Sequence, residues 1–429
     1  MKVLISAVGD TDPIRGSHDG PLLHISRYYR PDKIVLIFSE GMLHKEERLK
    51  AAILSIPNYH PEIEVESKLL LDDDVYRFDK MYEQLSEIIS RYTSGDDEFL
   101  LNLSSSTPQI ISAMFAINKI NDLNIKAIQV PTPVKGSNRN NPDDSKDIKV
   151  LIEENYDNQD NHEVRIIEEK SEKFNQLLVK RNLRELIRKY DYQGAYNLML
   201  QKENANLISK SKQKKMNSQL EKLTQSFKYQ KYLDDLFARD HGKREGELKA
   251  LNHFLLIDIL NRRDMVADVL IKSKSLVEFI LQDYIQQHYP NLIIEEDGRP
   301  TVDETHELAA KVNAFISEKF RLKLGDSYNP DRPYDIHSTL NIHSYMNIID
   351  CLESNNSFVQ YANPVLALNK MRNIVAHGLS EMDNNQVNRS KLKKAIKAMH
   401  DLLAEVYEIE EEQFRYFEEK NRELLNLLK

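Results

Sequence analysis

The sequence predicts an α/β domain with a doubly wound, Rossmann-like parallel sheet, followed by an all-helical half. Two observations carry that prediction. Over roughly the first 170 residues, short runs rich in Val, Ile and Leu alternate with amphipathic stretches, the spacing of a buried parallel sheet with crossover helices. From Ser171 onward Lys, Glu, Leu and Gln dominate, and apolar residues recur three and four apart, as at Leu183, Leu186 and Ile187. That is the period of an amphipathic helix.

In chain order, strands are expected at 2–8, 33–39, 62–70, 98–103 and 126–130, with helices at 21–29, 75–92 and 108–118 between them. Residues 137–149 are polar and turn-rich and read as a surface loop or hairpin. Further strands are expected at 147–153 and near 164–168. The chain then divides into a ligand-binding α/β domain at 1–170, a helical connector at 171–245 and a terminal helical domain at 246–429. The connector contains a basic run at 209–215 and ends in a turn-like stretch at Gly242; a second irregular stretch lies at 325–333. The last helix, 390–428, is long enough to include a break or to pack against a partner chain.

Composition excludes several classes. With 59 Lys and Arg against 68 Asp and Glu, the 429-residue chain has a net charge of −9, so no general basic surface attracts nucleic acid without specificity. Cys351 is the one cysteine; an intrachain disulfide is impossible, and no Cys/His cluster has zinc spacing, so no metal or other cofactor is expected. The first apolar run, 3–8, is too short for a signal peptide or a membrane span. A soluble, cytoplasmic protein without membrane contact is expected.

Ligands of an open parallel sheet bind beyond the carboxyl ends of its strands, and those ends are polar here. The first strand runs into Gly9, Asp10, Thr11 and Asp12, the second into Ser39, the fifth into Thr132. The fourth runs through Asn102, Ser104, Ser105, Ser106, Thr107, Pro108 and Gln109. Pro108 suits the first turn of a helix, with Ser106 or Thr107 as its cap; free N–H groups and hydroxyls there favour a phosphate, or serve as an ordinary N-cap. Asp10 and Asp12 would repel a bare phosphate, and either accept from ribose hydroxyls or an adenine amino group or cap the following helix. Neither loop has the G-x-G-x-x-G or Walker pattern, which disfavours a dinucleotide dehydrogenase or a P-loop NTPase. His18, His24 and His44 have no identifiable partner, His337 and His343 read as structural or surface groups, and Cys351 as a core residue.

In the helical half, Asn363 and Pro364 suit a helix start and Gly378 a helix stop. Leu368, Met371 and Val375 fall on one stripe and should face the core. At about 100° per residue, Asn373 and His377 then lie together on the side away from it, and Arg372 lies about 100° around from Asn373, all three displayed and not buried. Asn373, one turn before His377, can orient its imidazole. A ring of ordinary pKa near about 6.5 moves protons close to neutrality, and a guanidinium matches phosphate oxygens. Arginine with histidine suits metal-free RNA cleavage: the 2′-hydroxyl attacks the adjacent phosphorus, His moves protons and Arg offsets charge on the phosphorane.

Three segments resemble one family, the CARF–HEPN ribonucleases of type III CRISPR systems, specifically the Csm-type accessory nuclease of subtype III-A. The opening VLISAVGDTDPIRGSHDGPLLHISRYYRP is similar to its first CARF motif, NLSSSTPQI to its second, and RNIVAH to the HEPN motif Arg-Asn-x3-His. The resemblance implies a CARF domain that binds a cyclic oligoadenylate, with six adenylates favoured over four. It also implies a homodimer with two Arg372–His377 sets in one composite cleft cutting single-stranded RNA, and slow cleavage of the ring placed by Thr107, Asn102 or Asp12. The rivals are a ligand-responsive transcription regulator and a non-catalytic nucleotide-sensing dimer. The acidic, Leu-rich C-terminal half argues against the first and against stable DNA binding.

Overall fold

The computed structural model describes residues 1–93, 97–120, 125–133, 142–159, 161–233, 235–237, 245–331, 334–335, 337–353, 356–377 and 387–429, without the side chains of Pro142, Glu296, Ala376 and His377. The chain forms two compact units, Met1–Asn175 and Gln176–Lys429.

The first unit is built on one six-stranded sheet: β1 (Lys2–Ala7), β2 (Lys33–Ile37), β3 (Glu62–Val65), β4 (Glu98–Asn102), β5 (Ile125–Gln129) and β6 (Ile167–Glu168). The spatial order is β3-β2-β1-β4-β5-β6. All pairings are parallel except that of β6, with Ile5 opposite Val35 and Leu4 opposite Leu100. Successive side chains of a strand point to opposite faces, so β1 is split between two cores. Val3, Ile5 and Ala7 meet Met81, Leu85 and Ile88 of α3 (Phe78–Tyr92) and Ile110 and Met114 of α4 (Pro108–Ile120). Leu4 meets Leu22 and Ile25 of α1 (Pro21–Tyr29) and Leu49 and Ile53 of α2 (Glu46–Leu54). The predicted α/β class is therefore present, and the strand order reverses between β1 and β4.

Two strand predictions change. Residues 147–153 form a helix, α5 (Ile148–Glu153), because the Asp147 side chain accepts from the Lys149 N–H and starts a turn; a short apolar run fits either period. β3 ends at Val65, since buried Glu66 accepts from the Lys68 N–H at 2.9 Å and bends the chain. Residues 134–141, which include the first part of the expected polar stretch, lie outside the described residues.

Among its described residues the second unit is helical, as predicted, apart from one hairpin. Its helices are α6 (Glu172–Arg188, which begins before the unit boundary), α7 (Tyr192–Leu200), α8 (Lys210–Tyr229), α9 (Glu245–Arg262) and α10 (Val266–His288). The hairpin β7 (Ile293–Glu296) and β8 (Arg299–Val302) follows, turning through Asp297 and Gly298 at positive φ. Then come α11 (Ala309–Leu324), α12 (Ile342–Leu352), α13 (Ala362–Leu366), α14 (Asn369–His377), α15 (Arg389–Tyr407), α16 (Glu411–Phe414) and α17 (Tyr416–Leu427). The final stretch breaks at Glu408, whose φ of 54° ends α15 in the left-handed region. One core runs from Leu183 to Leu428 and includes Met199, Met216 and Leu220 of the connector helices beside Ile280, Ile348 and Leu402. Among the described residues no helix is long and apolar enough to cross a membrane.

Candidate functional site

At the strand-order reversal the loops after β1 and β4 touch. A β-carbon built on Gly9 would stand 2.3 Å from the Ser106 amide nitrogen, so only glycine permits this approach. Asn102, fully buried at the end of β4, donates from Nδ2 to Ser6 Oγ at 2.9 Å and Ser105 Oγ at 3.0 Å, and its Oδ1 accepts from the Ser104 N–H. Ser104 Oγ accepts from the Val130 N–H at 2.7 Å, tying in the end of β5. Thr107, immediately before α4, donates to the Val75 carbonyl and accepts weakly from the Ile110 N–H at 3.4 Å. Ser106, between them, has a φ of 93°. One hydrogen-bonded floor thus joins three strand ends.

Asp12 is fully buried, and both its oxygens are engaged, Oδ2 by the Gly9 N–H and Oδ1 by the Leu22 N–H, each at 3.1 Å. Leu22 is the second residue of α1, whose N-cap, Gly20, has no capping side chain. Asp12 therefore supplies that cap from a distance, the second of its two sequence readings. Burial pushes its carboxyl up, against hydrogen bonds from Ser105, Gly9 and Leu22.

Asp10 and Thr132 are exposed, while Thr11, Ser39 and Gln109 are half-buried. Gln109 holds a buried side-chain oxygen with no hydrogen-bond partner among the described residues. Ser39 pairs with Leu70 through an isolated bridge. Sequence reasoning missed Lys45. Its side chain is 1% exposed, donates to the Asp10 and Asp12 carbonyls at 2.8 and 3.2 Å, and stands 3.2 Å from Asp144. Nothing in its local sequence sets it apart from a surface lysine.

His18, His24 and His44 do have partners, that of His44 being the Gly41 carbonyl at 2.8 Å. Asp19 accepts from Arg27 Nε at 2.7 Å and from Asn155 Nδ2; Asp157 accepts from Arg165 Nη2 at 2.9 Å and meets His18 Nδ1 at 3.3 Å. His24 Nε2 accepts from the Arg165 backbone N–H at 3.0 Å, which places its ring proton on Nδ1, facing Asp19 and Asp157 at 3.7 and 3.8 Å. Asp19, His24 and Asp157 lie close enough to share a cation, yet Arg27 and Arg165 already answer the two carboxylates. The cluster is an ion-pair network that fastens residues 155–165 to α1.

In the second unit, the start expected at Asn363 is a separate short helix, α13. The Arg-Asn-x3-His sequence lies on α14, which starts at Asn369. Leu368 and Met371 are buried and Val375 packs against the core, so the expected stripe faces inward. Arg372 is half-buried and Asn373 exposed. The His377 backbone closes α14; its side chain, and Gly378, lie outside the described residues. Asn373 thus lies on the side of the helix away from the apolar stripe, with half-buried Arg372 on the flank between them.

Comparison with known proteins adds independent findings. A family model described as the Cas_Csm6 HEPN domain matches residues 241–425, and one described as the Cas_Csm6 CARF domain matches residues 65–166. The chain is 43% identical to CRISPR system endoribonuclease Csm6 of Streptococcus thermophilus and 36% identical to Csm6′ of the same species, covering 100% of both chains in each case. Among solved structures it resembles Enterococcus italicus Csm6 bound to cyclic hexa-2′-fluoro-hexa-dAMP, with a TM-score of 0.68, 27% identity and 100% of both chains covered.

Proposed function

This chain belongs to the Csm6 family of CRISPR system endoribonucleases, with the family's CARF and HEPN domains, and on that premise we propose a cyclic-oligoadenylate-activated, metal-independent nuclease for single-stranded RNA. It would act in the cytoplasm, in type III CRISPR antiviral defence. The observation that carries the reading is the placement of Asn373 on the outer side of α14 and of half-buried Arg372 on its flank, in the sequence frame Arg-Asn-x3-His.

The chemistry follows from those side chains. The RNA 2′-oxygen attacks the adjacent phosphorus, and one imidazole takes the 2′-hydroxyl proton. Arg372 offsets the charge that develops on the phosphorane oxygens. The 5′-oxygen leaves with a proton from a second imidazole, and the products end in a 2′,3′-cyclic phosphate and a 5′-hydroxyl. A single histidine cannot be base and acid in the same event, so we assign the two roles to His377 and the partner's His377 in a homodimer. Asn373 orients the ring.

The activator belongs in the crevice beyond β1 and β4, where Gly9, Asp10, Thr11, Ser104, Ser106, Thr107, Gln109, Ser39 and Thr132 border the joined loops and Asp12, Asn102 and Ser105 brace them from below. A ring with rotational symmetry suits a two-fold site. The cyclic hexa-nucleotide carried by the Enterococcus italicus relative supports six adenylates over four. We further assign slow, self-limiting ring cleavage to this crevice, and the role of lever between the domains to the connector 171–245, whose helices share the HEPN core. Binding must favour the competent HEPN pair over the idle one, since only differential affinity shifts a population.

The test is a fluorescent single-stranded RNA assay with rings of three to six adenylates, with and without a chelator. Cleavage that needs a ring, peaks with six adenylates and survives the chelator is expected. Intact RNA with every ring would overturn the reading.

A further inference from the structure

Helix α15 carries its charges backwards. Its first half holds Arg389, Lys391, Lys393, Lys394 and Lys397, and its second half Asp401 and Glu405. The free N–H groups at a helix start repel cations and the free carbonyls at its end repel carboxylates, so helix stability selects the opposite order. The start is held by a neutral cap instead, Asn388, which accepts from the Lys391 N–H at 3.0 Å. In a chain of net charge −9, such a block is not a sample of a generally basic surface.

The block is displayed. Leu392, Ala395, Met399 and Leu402 are buried in the core, and at about 100° per residue Lys393, Lys394 and Lys397 lie on the other side of the helix; all three are exposed. Arg389 is engaged by Asp264, but among the described residues Lys391, Lys393, Lys394 and Lys397 have no ion-pair partner. The row also has a defined origin. The Asn388 N–H lies 3.4 Å from Met371 Sδ, so α15 starts beside α14, at the residue next to Arg372. From there it runs about 12 Å to Lys397, with exposed Lys370 on α14 near its head.

We propose that Lys393, Lys394 and Lys397 form a phosphate track that holds the backbone of single-stranded RNA beside Arg372. The proposal deepens the nuclease reading and rests on it for the identity of the strand. A linear polyanion fits a row of flexible ammonium groups, which read charge and not base edges. An acidic protein fits less well: the apolar residues between the lysines, Ala395 and Ile396, are buried and half-buried against the core, and lysine is depleted at the centre of protein interfaces.

The test uses the full chain and a fluorescein-labelled 2′-O-methyl RNA strand, which binds but has no 2′-hydroxyl to attack. Affinity is measured by anisotropy between about 50 and 200 mM salt. The triple variant Lys393→Gln, Lys394→Gln, Lys397→Gln is compared with Lys212→Gln, Lys214→Gln, Lys215→Gln, which removes equal charge from α8, a helix packed on α7 and α17. Loss of three phosphate contacts should flatten the log–log salt slope by about 2 and weaken binding on the order of tenfold, whereas the α8 variant should match the parent. The single variant Lys397→Gln should flatten the slope by about 0.7, which keeps the test valid if the triple variant folds poorly. An unchanged slope, or equal changes in both triple variants, overturns the track. Cleavage of unmodified RNA is followed in parallel with rings of three to six adenylates: a parent that binds through α15 but cuts nothing with any ring refutes the nuclease reading and leaves the track standing.

Discussion

Gly9 and Ser106 meet backbone to backbone, with no room for a β-carbon between the loop after β1 and the loop after β4. Gly9→Ala must push these loops apart, and overpacking of this kind costs about 1–3 kcal/mol. The variant should melt lower in the first unit and bind a cyclic oligoadenylate at least tenfold more weakly, by calorimetry on the full chain. Parent-like binding would remove the joined loops from the activator site.

Asn102 links Ser6, Ser104 and Ser105 from a fully buried position. Asn102→Ala strands those partners, and unmatched buried groups cost about 1–3 kcal/mol. Denaturant unfolding should show that loss. Ring binding should fall with it, because Ser104 and Ser105 lose their positions. Full stability in the variant would show that solvent or a rearranged serine replaces the amide.

Arg372 and His377 sit on α14, in the unit that does not contain the crevice. Arg372→Ala or His377→Ala should abolish RNA cleavage while ring affinity stays within about twofold. Asn373→Ala should lower kcat with little change in KM for RNA, as expected of a residue that positions the imidazole. A chelator should leave the parent's turnover unchanged. Ring binding lost together with cleavage would mean that these residues serve the fold and not the chemistry.

The Asp19–Asp157 network makes the first unit acid-labile. Burial works against charge on Asp157, but His24, the Asp19 N–H, His18 and Arg165 outweigh it and hold the carboxyl well below the usual range. Asp19 is likewise lowered, burial being outweighed by His24, Arg27 and Asn155. Folded values below the unfolded ones give stability that is complete above the unfolded pKa, near about 4, and is lost as pH falls through the folded values. Melting of the first unit should therefore drop steeply below about pH 4. Asp157→Asn should lower the melting temperature at pH 7 and flatten that acid slope; equal slopes in both proteins would place the lability elsewhere.

Much of this was legible along the chain. The period-two split of β1 between Val3, Ile5 and Ala7 on one face and Leu4 on the other, the Thr107-Pro108 start of α4, and the inward stripe of Leu368 and Met371 are all local patterns. Where local signals tie, reading failed. The run at 147–153 fits a strand as well as a helix, and a side-chain hydrogen bond from Asp147 decides for the helix. The hairpin at 293–302 carries a local signal, the Asp297-Gly298 turn, but the helix-rich composition around it outweighs that pair.

Hydrophobic period and helix-start chemistry are properties of neighbouring residues, so the two fold classes, the polar strand ends and the Arg-Asn-x3-His frame are readable from residue order alone. The folded chain adds that Asp12 caps α1, that Lys45 is buried beneath the first loop, that His24 joins two ion pairs, and that α15 begins beside Met371. Each of those depends on contacts between residues far apart in the chain, where burial and hydrogen-bond satisfaction, not local propensity, set the outcome.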